Sequence, residues 1–190
     1  MLTAKDVVTF WLDEVSPGQR FTVDPELDKT IRDRFGDAWE SAAEGGLGVW
    51  LTDAQGALGY IILVDQFSRN MFRDDPRAFS TDPNARAATR MAINKGWDME
   101  IAQSARAFIY MPLMHSEDIA DQDSCVALAA ERLDDGGTLL HARCHREIIR
   151  TFGRFPFRNK ALGRESSPEE RAFMDEGGYG ALVKQFQKQA

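Results

Sequence analysis

Histidine, cysteine and proline are scarce in this chain, with His 3, Cys 2 and Pro 7 among 190 residues. The two cysteines, Cys125 and Cys144, lie in segments that read as helix, and neither has a second cysteine at metal-ligand spacing. That excludes a disulfide framework and a cysteine zinc site, and predicts two thiols packed as small core hydrophobes. The apolar run Tyr60–Val64 falls far short of the roughly 18 residues that a membrane helix needs. Lys5 and Asp6 interrupt the apolar pattern of the N-terminus, and no small-residue cleavage site follows. This predicts a protein without a signal peptide, hence a cytoplasmic one with no membrane partner. Also missing are a G-x-S-x-G elbow, a G-x-x-x-x-G-K-[ST] loop and a G-x-G-x-x-G turn, which argues against serine-triad, P-loop and dinucleotide chemistry. Gly45-Gly46-Leu47-Gly48 has no following lysine, and Asp121-x-Asp123 lacks the glycine and distal glutamate of a calcium loop. No cofactor is expected.

What the chain does contain is helix signal. With 43% hydrophobic and 28% charged residues it has the make-up of one globular domain over residues 1–190, burying roughly 70% of the unfolded surface. Thr3 can cap a segment running to Val15. Asp24-Pro25-Glu26 is a cap, a first-turn proline and an acid at the positive helix end, opening a helix to about Phe35. Gly36-Asp37 then predicts a break before a second stretch carrying Trp39. Thr52-Asp53-Ala54-Gln55 has the form of a capping box for a long helix toward Arg73, and Asp82-Pro83 starts another that Gly96 stops. Gln103–Met111 and Ser116–Leu133 are helical by period, with a break or kink at Pro112. Ser167-Pro168-Glu169-Glu170 opens a further helix. No run alternates polar and apolar for six residues between turn signals, so the fold class is all-α, with about eight to ten helices.

Two segments carry unusual polar groups. From Gly56 to Val64 the pattern is apolar all round, which predicts burial. Asp65, Arg69 and Arg73 then share one stripe, with Gln66 and Asn70 beside it. Such a stripe is either a solvated end or the border of a cavity or internal ion pair, and Asp65 and Arg69 are spaced to pair. The second segment, Arg143 to Arg164, holds seven basic residues against the single acid Glu147, in a chain of net charge −7. On a helical wheel over Leu140–Arg164, Cys144, Ile148, Phe152 and Phe155 form a core face, with Arg143, Arg146, Arg150 and Arg154 opposite. The basic face is either solvated or an anion site, since guanidinium forks match phosphate and carboxylate oxygens. His141 and His145 stand four apart but lack a third ligand, so no metal is expected. His145 falls toward the apolar side of the wheel, and His115 precedes the helix-start residues Ser116-Glu117-Asp118. Both imidazoles could carry protons near neutral pH.

Several blocks resemble one bacterial family in order. They are Val64-Asp65-Gln66-Phe67-Ser68-Arg69-Asn70-Met71-Phe72-Arg73, Ala78-Phe79-Ser80-Thr81-Asp82-Pro83 and Tyr110-Met111-Pro112-Leu113-Met114-His115-Ser116-Glu117-Asp118. His145-Arg146-Glu147-Ile148-Ile149, Phe152-Gly153-Arg154-Phe155-Pro156-Phe157-Arg158-Asn159 and Leu162-Gly163-Arg164-Glu165-Ser166 continue the series. The chain thereby resembles, from about Val7 to Phe173, the family catalogued as domain of unknown function 924. The resemblance implies a tetratricopeptide-like array of antiparallel helix pairs and no established reaction. The family usually has Pro at the place of Ser68 and His at the place of Phe157; the lost imidazole favours binding over proton transfer here.

Two functions fit these residues. One is a pocket for a small phosphorylated or carboxylated metabolite, formed where the Asp65–Arg73 helix meets His115–Asp118 and His145–Arg164. Its ligand-binding residues would be Asp65, Gln66, Arg69, Asn70, His115, Glu117, His145, Arg146, Arg154, Arg158, Asn159 and Arg164. A catalytic version would use His115 or His145 as general base. The other is a protein- or peptide-interaction module in which the polar network only locks helices in register. Nucleic acid is disfavoured by the net charge of −7 and the pI near 5.0.

Overall fold

A computed structural model describes residues 2–188, and among them every regular element is helical and none is a strand. The chain divides between Pro112 and Leu113 into two compact units.

The first unit holds α1 (Ala4–Thr9), α2 (Pro25–Ala43), α3 (Ala54–Ile61), α4 (Ser68–Met71), α5 (Asp82–Asn94), α6 (Trp97–Glu100) and most of α7 (Gln103–Met114). Thr3 caps α1 as expected, and Asp6 reaches back to close a capping box that the sequence reading did not include. The segment continues as a π-helical stretch, Phe10–Glu14, whose exit is closed by Arg20. That guanidinium donates to the carbonyls of Trp11, Leu12 and Val15 at 2.8, 2.8 and 2.9 Å. Asp24 caps α2 by accepting from the N–H groups of Glu26 and Leu27. The expected break at Gly36-Asp37 does not occur, because α2 runs unbroken to Ala43. A helical glycine costs only about 1 kcal/mol relative to alanine. Burying Phe35 and Trp39 on either side of it outweighs that. The core joins Phe10, Trp11, Phe35 and Phe67, with ring centroids 5.0 Å apart for Phe10–Phe35, 4.9 Å for Phe35–Phe67 and 5.4 Å for Trp11–Phe67. α3 passes α1 so closely at Gly59 that a Cβ there would lie 2.5 Å from the Ala4 carbonyl oxygen.

α3 and α4 form one rod joined by a π-helical turn, Ile62–Phe67. Its cap is Asp53, which accepts from Gly56 N–H at 2.8 Å, one residue later than the predicted Thr52. The Thr52 hydroxyl instead donates to the Val49 carbonyl. Likewise α5 begins at Asp82 itself, after Thr81.

The second unit contains α8 (Ile119–Arg132), α9 (Gly136–Phe152), α10 (Pro168–Asp175) and α11 (Gly178–Gln187). Pro112 does not break α7, which continues to Met114; α8 starts after Asp118 rather than at Ser116. α9 ends at Phe152, where Gly153 takes φ +69°, a left-handed conformation that glycine adopts without a Cβ penalty. The basic segment therefore leaves the helix there, and Arg154 to Arg164 follow a loop with a 3-10 turn at Pro156–Arg158, not the wheel drawn through Arg164. Ser167 and Glu170 form the predicted capping box of α10. Ile148, Ile149 and Phe155 make the core, with Phe152, Phe173, Tyr179 and Leu182 packed against it.

Candidate functional site

In the first unit the carbonyls of Val64 and Asp65, in the π-helical turn, accept from side chains. Thr81 Oγ1 and Ser68 Oγ donate to the Val64 carbonyl at 2.6 and 2.7 Å, and Trp39 Nε1 donates to Ser68 Oγ at 2.8 Å. Ser68, where the family usually has Pro, is thus a fully buried link between α2 and α4. Arg69 donates to the Asp65 carbonyl at 2.8 Å, and its Nη1 stands 3.1 Å from the Asp65 carboxylate and 3.0 Å from that of Asp82. Burial works against the Arg69 charge, but the two carboxylates more than offset it and hold its pKa above the ordinary value. Gln66 Nε2 donates to Asp65 at 2.6 Å. Asn70 Nδ2 and Arg73 Nη2 each donate to Asp28 Oδ1 at 2.8 Å, and Arg73 Nε pairs with the other oxygen. The polar stripe is therefore an internal ion-pair cluster, with Asp65 inaccessible to solvent.

In the second unit the sequence candidates separate into a network and a corner. Glu117 accepts both Nη groups of Arg164, at 2.7 and 2.9 Å, and the Phe155 backbone N–H at 2.8 Å. Burial tends to raise the Glu117 carboxyl, but Arg164 and that N–H hold it below the usual range. Arg164 Nε donates to Asn159 Oδ1, and Asn159 Nδ2 donates to Glu170 and to Ser166 Oγ. Glu170 also takes a bidentate fork from Arg154, at 2.6 and 2.9 Å. Arg154 first, with the Ser167 N–H and Asn159 behind it, holds the Glu170 carboxyl down at about 2. Arg146 leans on Asp123 at 3.2 Å near the surface.

The corner is built around Phe155. His145 lies 5.5 Å from that ring, edge-on, and Arg158 places its guanidinium carbon 4.4 Å from the ring centroid. His115 reaches within 6.2 Å of His145, centroid to centroid, and Tyr179 within 4.8 Å. Tyr179 also hydrogen-bonds His141 Nδ1. Phe157 stacks on Phe155 at 5.2 Å, so the place where the family usually has His is an exposed aromatic face. His145 Nδ1 sits 2.9 Å from the His141 carbonyl, which can only accept, so this nitrogen carries the proton. Burial first, then the neighbours His115, Arg158 and His141, push the His145 imidazole down to about 3. It is neutral at physiological pH, and its Nε2 bears a lone pair.

Sequence reasoning passed over Gln122, the residue that holds His115 in place. Its buried amide donates to the Met114 and Ser116 carbonyls at 2.6 and 2.7 Å, on either side of His115. Its spacing from Cys125 and Ala129 puts a polar group on the buried face of α8, and that is the readable signal. Tyr179 had none, standing among glycines near the C-terminus. A cavity of ≈ 420 Å³ also opens between α9, α10 and α11, with Ile148, Phe152, Phe173, Leu182 and Phe186 among its walls. Cys125 and Cys144 are buried, unbridged thiols pushed up to about 12 and about 11 by burial, so neither is a thiolate nucleophile at neutral pH. Among the described residues, no three His, Cys, Asp or Glu gather as a metal site, and no helix is long and apolar enough to cross a membrane.

An all-helical chain with these ordered polar blocks defines a class of bacterial protein. Residues 7–178 match the model of the family described as bacterial protein of unknown function, DUF924, and the chain belongs to that family. A solved structure described as a protein of unknown function, ATU0120 from Agrobacterium tumefaciens, is 41% identical. The match covers 91% of this chain and 97% of that one, with a TM-score of 0.86. No curated protein matches the chain.

Proposed function

We propose that the protein binds a small anionic metabolite at the corner formed by His115, His145 and Arg158. The observation that carries this reading is geometric. His145 and the Arg158 guanidinium share the Phe155 ring, 5.5 and 4.4 Å from its centroid, and the His115 ring stands 6.2 Å from that of His145. A guanidinium beside partly accessible imidazoles, walled by Phe155, Phe157 and Tyr179, suits a phosphate or carboxylate on a small body. Asp65, Gln66, Arg69, Asn70, Glu117, Arg146, Arg154, Asn159 and Arg164 lie in ion pairs and hydrogen bonds away from the His145 ring and serve the fold in this reading. A thermal-shift screen of carboxylates and phosphates tests the reading. Anions should raise the melting temperature of the wild type and not of Arg158→Leu; a panel in which no anion stabilises the wild type overturns it. The same corner offers a neutral His145 as a general base, which turnover lost in His145→Gln would reveal.

The cavity between α9, α10 and α11, where Glu147, Thr151 and Gln185 stand beside the apolar side chains, favours a second reading, an interaction module. The tetratricopeptide-like stacking implied by the family resemblance would present this cavity on a helical surface for a partner peptide. Leu182→Asp should abolish capture of a stoichiometric partner while leaving anion stabilisation intact. Capture that survives this substitution removes the cavity from consideration.

A further inference from the structure

The cavity between α9, α10 and α11 is lined unevenly. Ile148, Phe152, Phe173, Leu182 and Phe186 make its apolar side, with the Phe152 and Phe173 rings 5.1 Å apart and tilted. The polar side comes from Glu147, Thr151 and Gln185. Glu147 and Thr151 stand four residues apart on α9, so they share one face of that helix. The Thr151 hydroxyl donates to the Glu147 carbonyl at 2.9 Å, which leaves its oxygen able to accept. The Glu147 carboxylate makes no hydrogen bond or ion pair among the described residues. Arg146 and Arg150 lean instead on Asp123 of α8, at 3.2 and 3.9 Å. Glu147 is half-buried, and alone among the lining residues it carries a charge.

An unbalanced carboxylate beside a second acceptor calls for a group with several protons to donate. Water and neutral N–H groups can meet the acceptors, but only a cation also balances the charge. A volume of ≈ 420 Å³ falls within the roughly 300–1,000 Å³ of small-molecule sites. A lysine stem from a peptide is too thin to fill it against the rings of Phe152, Phe173 and Phe186. We infer that this cavity takes a small primary amine on an aromatic body, an arylalkylamine, whose ammonium is held by Glu147 and Thr151. Its ring packs against Phe152, Phe173 and Leu182. The inference is independent of the anion reading, and it gives this cavity a free molecule rather than a peptide.

Three ligands of similar shape test this on the full chain by NMR titration: 2-phenylethylamine, 2-phenylethanol and 3-phenylpropanoate. The amine should bind roughly three- to tenfold more tightly than the alcohol, and the acid more weakly than either. Contacts from the ring of the amine should reach the methyl groups of Ile148 and Leu182. In Glu147→Gln, which keeps the shape and removes the charge, the amine should fall to the level of the alcohol. Equal wild-type binding of amine and alcohol overturns the inference and leaves the cavity to the peptide reading. An amine preference that survives Glu147→Gln overturns it too, as do contacts that miss both residues. No binding by any of the three also overturns it, with the anion reading untouched. Should the Gln variant fold poorly, the wild-type comparison alone decides.

Discussion

The cluster around Arg69 and the corner around His145 use the same kinds of residue to opposite effect. At Arg69 a cation is enclosed by Asp65 and Asp82, and burial is offset by charge of the other sign. At His145 no carboxylate pairs with the imidazole, and burial is met by giving up the proton. The first arrangement ties α4 to the start of α5 by charge; the second leaves a neutral ring among the aromatic side chains of Phe155 and Tyr179. What the neighbours of a buried group are, rather than how many arginines lie nearby, decides whether it keeps its charge.

The comparison breaks most visibly at Asp65. Asp65→Ala leaves a buried guanidinium with Asp82 alone, and should lower unfolding free energy by about 3 kcal/mol in chemical denaturation, the low end for a broken buried pair. Loss below about 1 kcal/mol would mean the pair is screened like a surface one. Next comes Glu170→Gln, which weakens the Arg154 fork and the Asn159 link and should lower the melting temperature by roughly 4 °C. The folded Glu170 pKa lies at about 2, below its unfolded value near 4.5. Its contribution is present above pH 4.5 and lost as pH falls toward 2, so the variant should lack that part of the acid titration.

His145 sharpens the comparison through a different pH window. Its folded pKa of about 3 lies below the unfolded 6.5, so the unfolded chain takes up the proton first as pH falls. Stability should be full above pH 6.5 and decline between 6.5 and 3. His145→Gln should flatten the upper part of that slope, between pH 6.5 and 5, where few carboxylates titrate. The smallest effect is expected at Arg146→Ala, less than about 1 kcal/mol, because Asp123 opposite it is more than half exposed. Melting curves at high and low salt should agree for that variant.

Local chemistry was legible in the sequence and distant pairing was not. Ser167 with Glu170 is a capping box whose two partners lie three residues apart, so the letters alone reveal it, and Thr3 was legible as a cap without its partner Asp6. Gly153 also marks a helix end, yet the continuing basic pattern beyond it masked the stop. Glu117 and Arg164 stand 47 positions apart, and nothing local announces that they meet. Whether an arginine is open or engaged is decided by such partners, which is why the basic segment resembled a ligand site more broadly than its geometry supports. The π-helical turn was hidden for a related reason. Its divided carbonyl partners include Thr81, supplied by the chain beyond α4.

That wide turn has a consequence for how this rod tolerates insertions and deletions. A π-helical turn is what an α-helix becomes when it absorbs one surplus residue, each residue in an α-helix advancing by about 100°. Excising any single amino acid from Ile62–Phe67 would let the rod relax to a regular spiral. Residues on either side would keep their register, so Arg69 would stay beside Asp82 and Asn70 beside Asp28. The same excision from the regular turns of α3 would instead swing everything after it by that angle and part both pairs. The rod therefore tolerates a lost codon at the wide turn and nowhere before it.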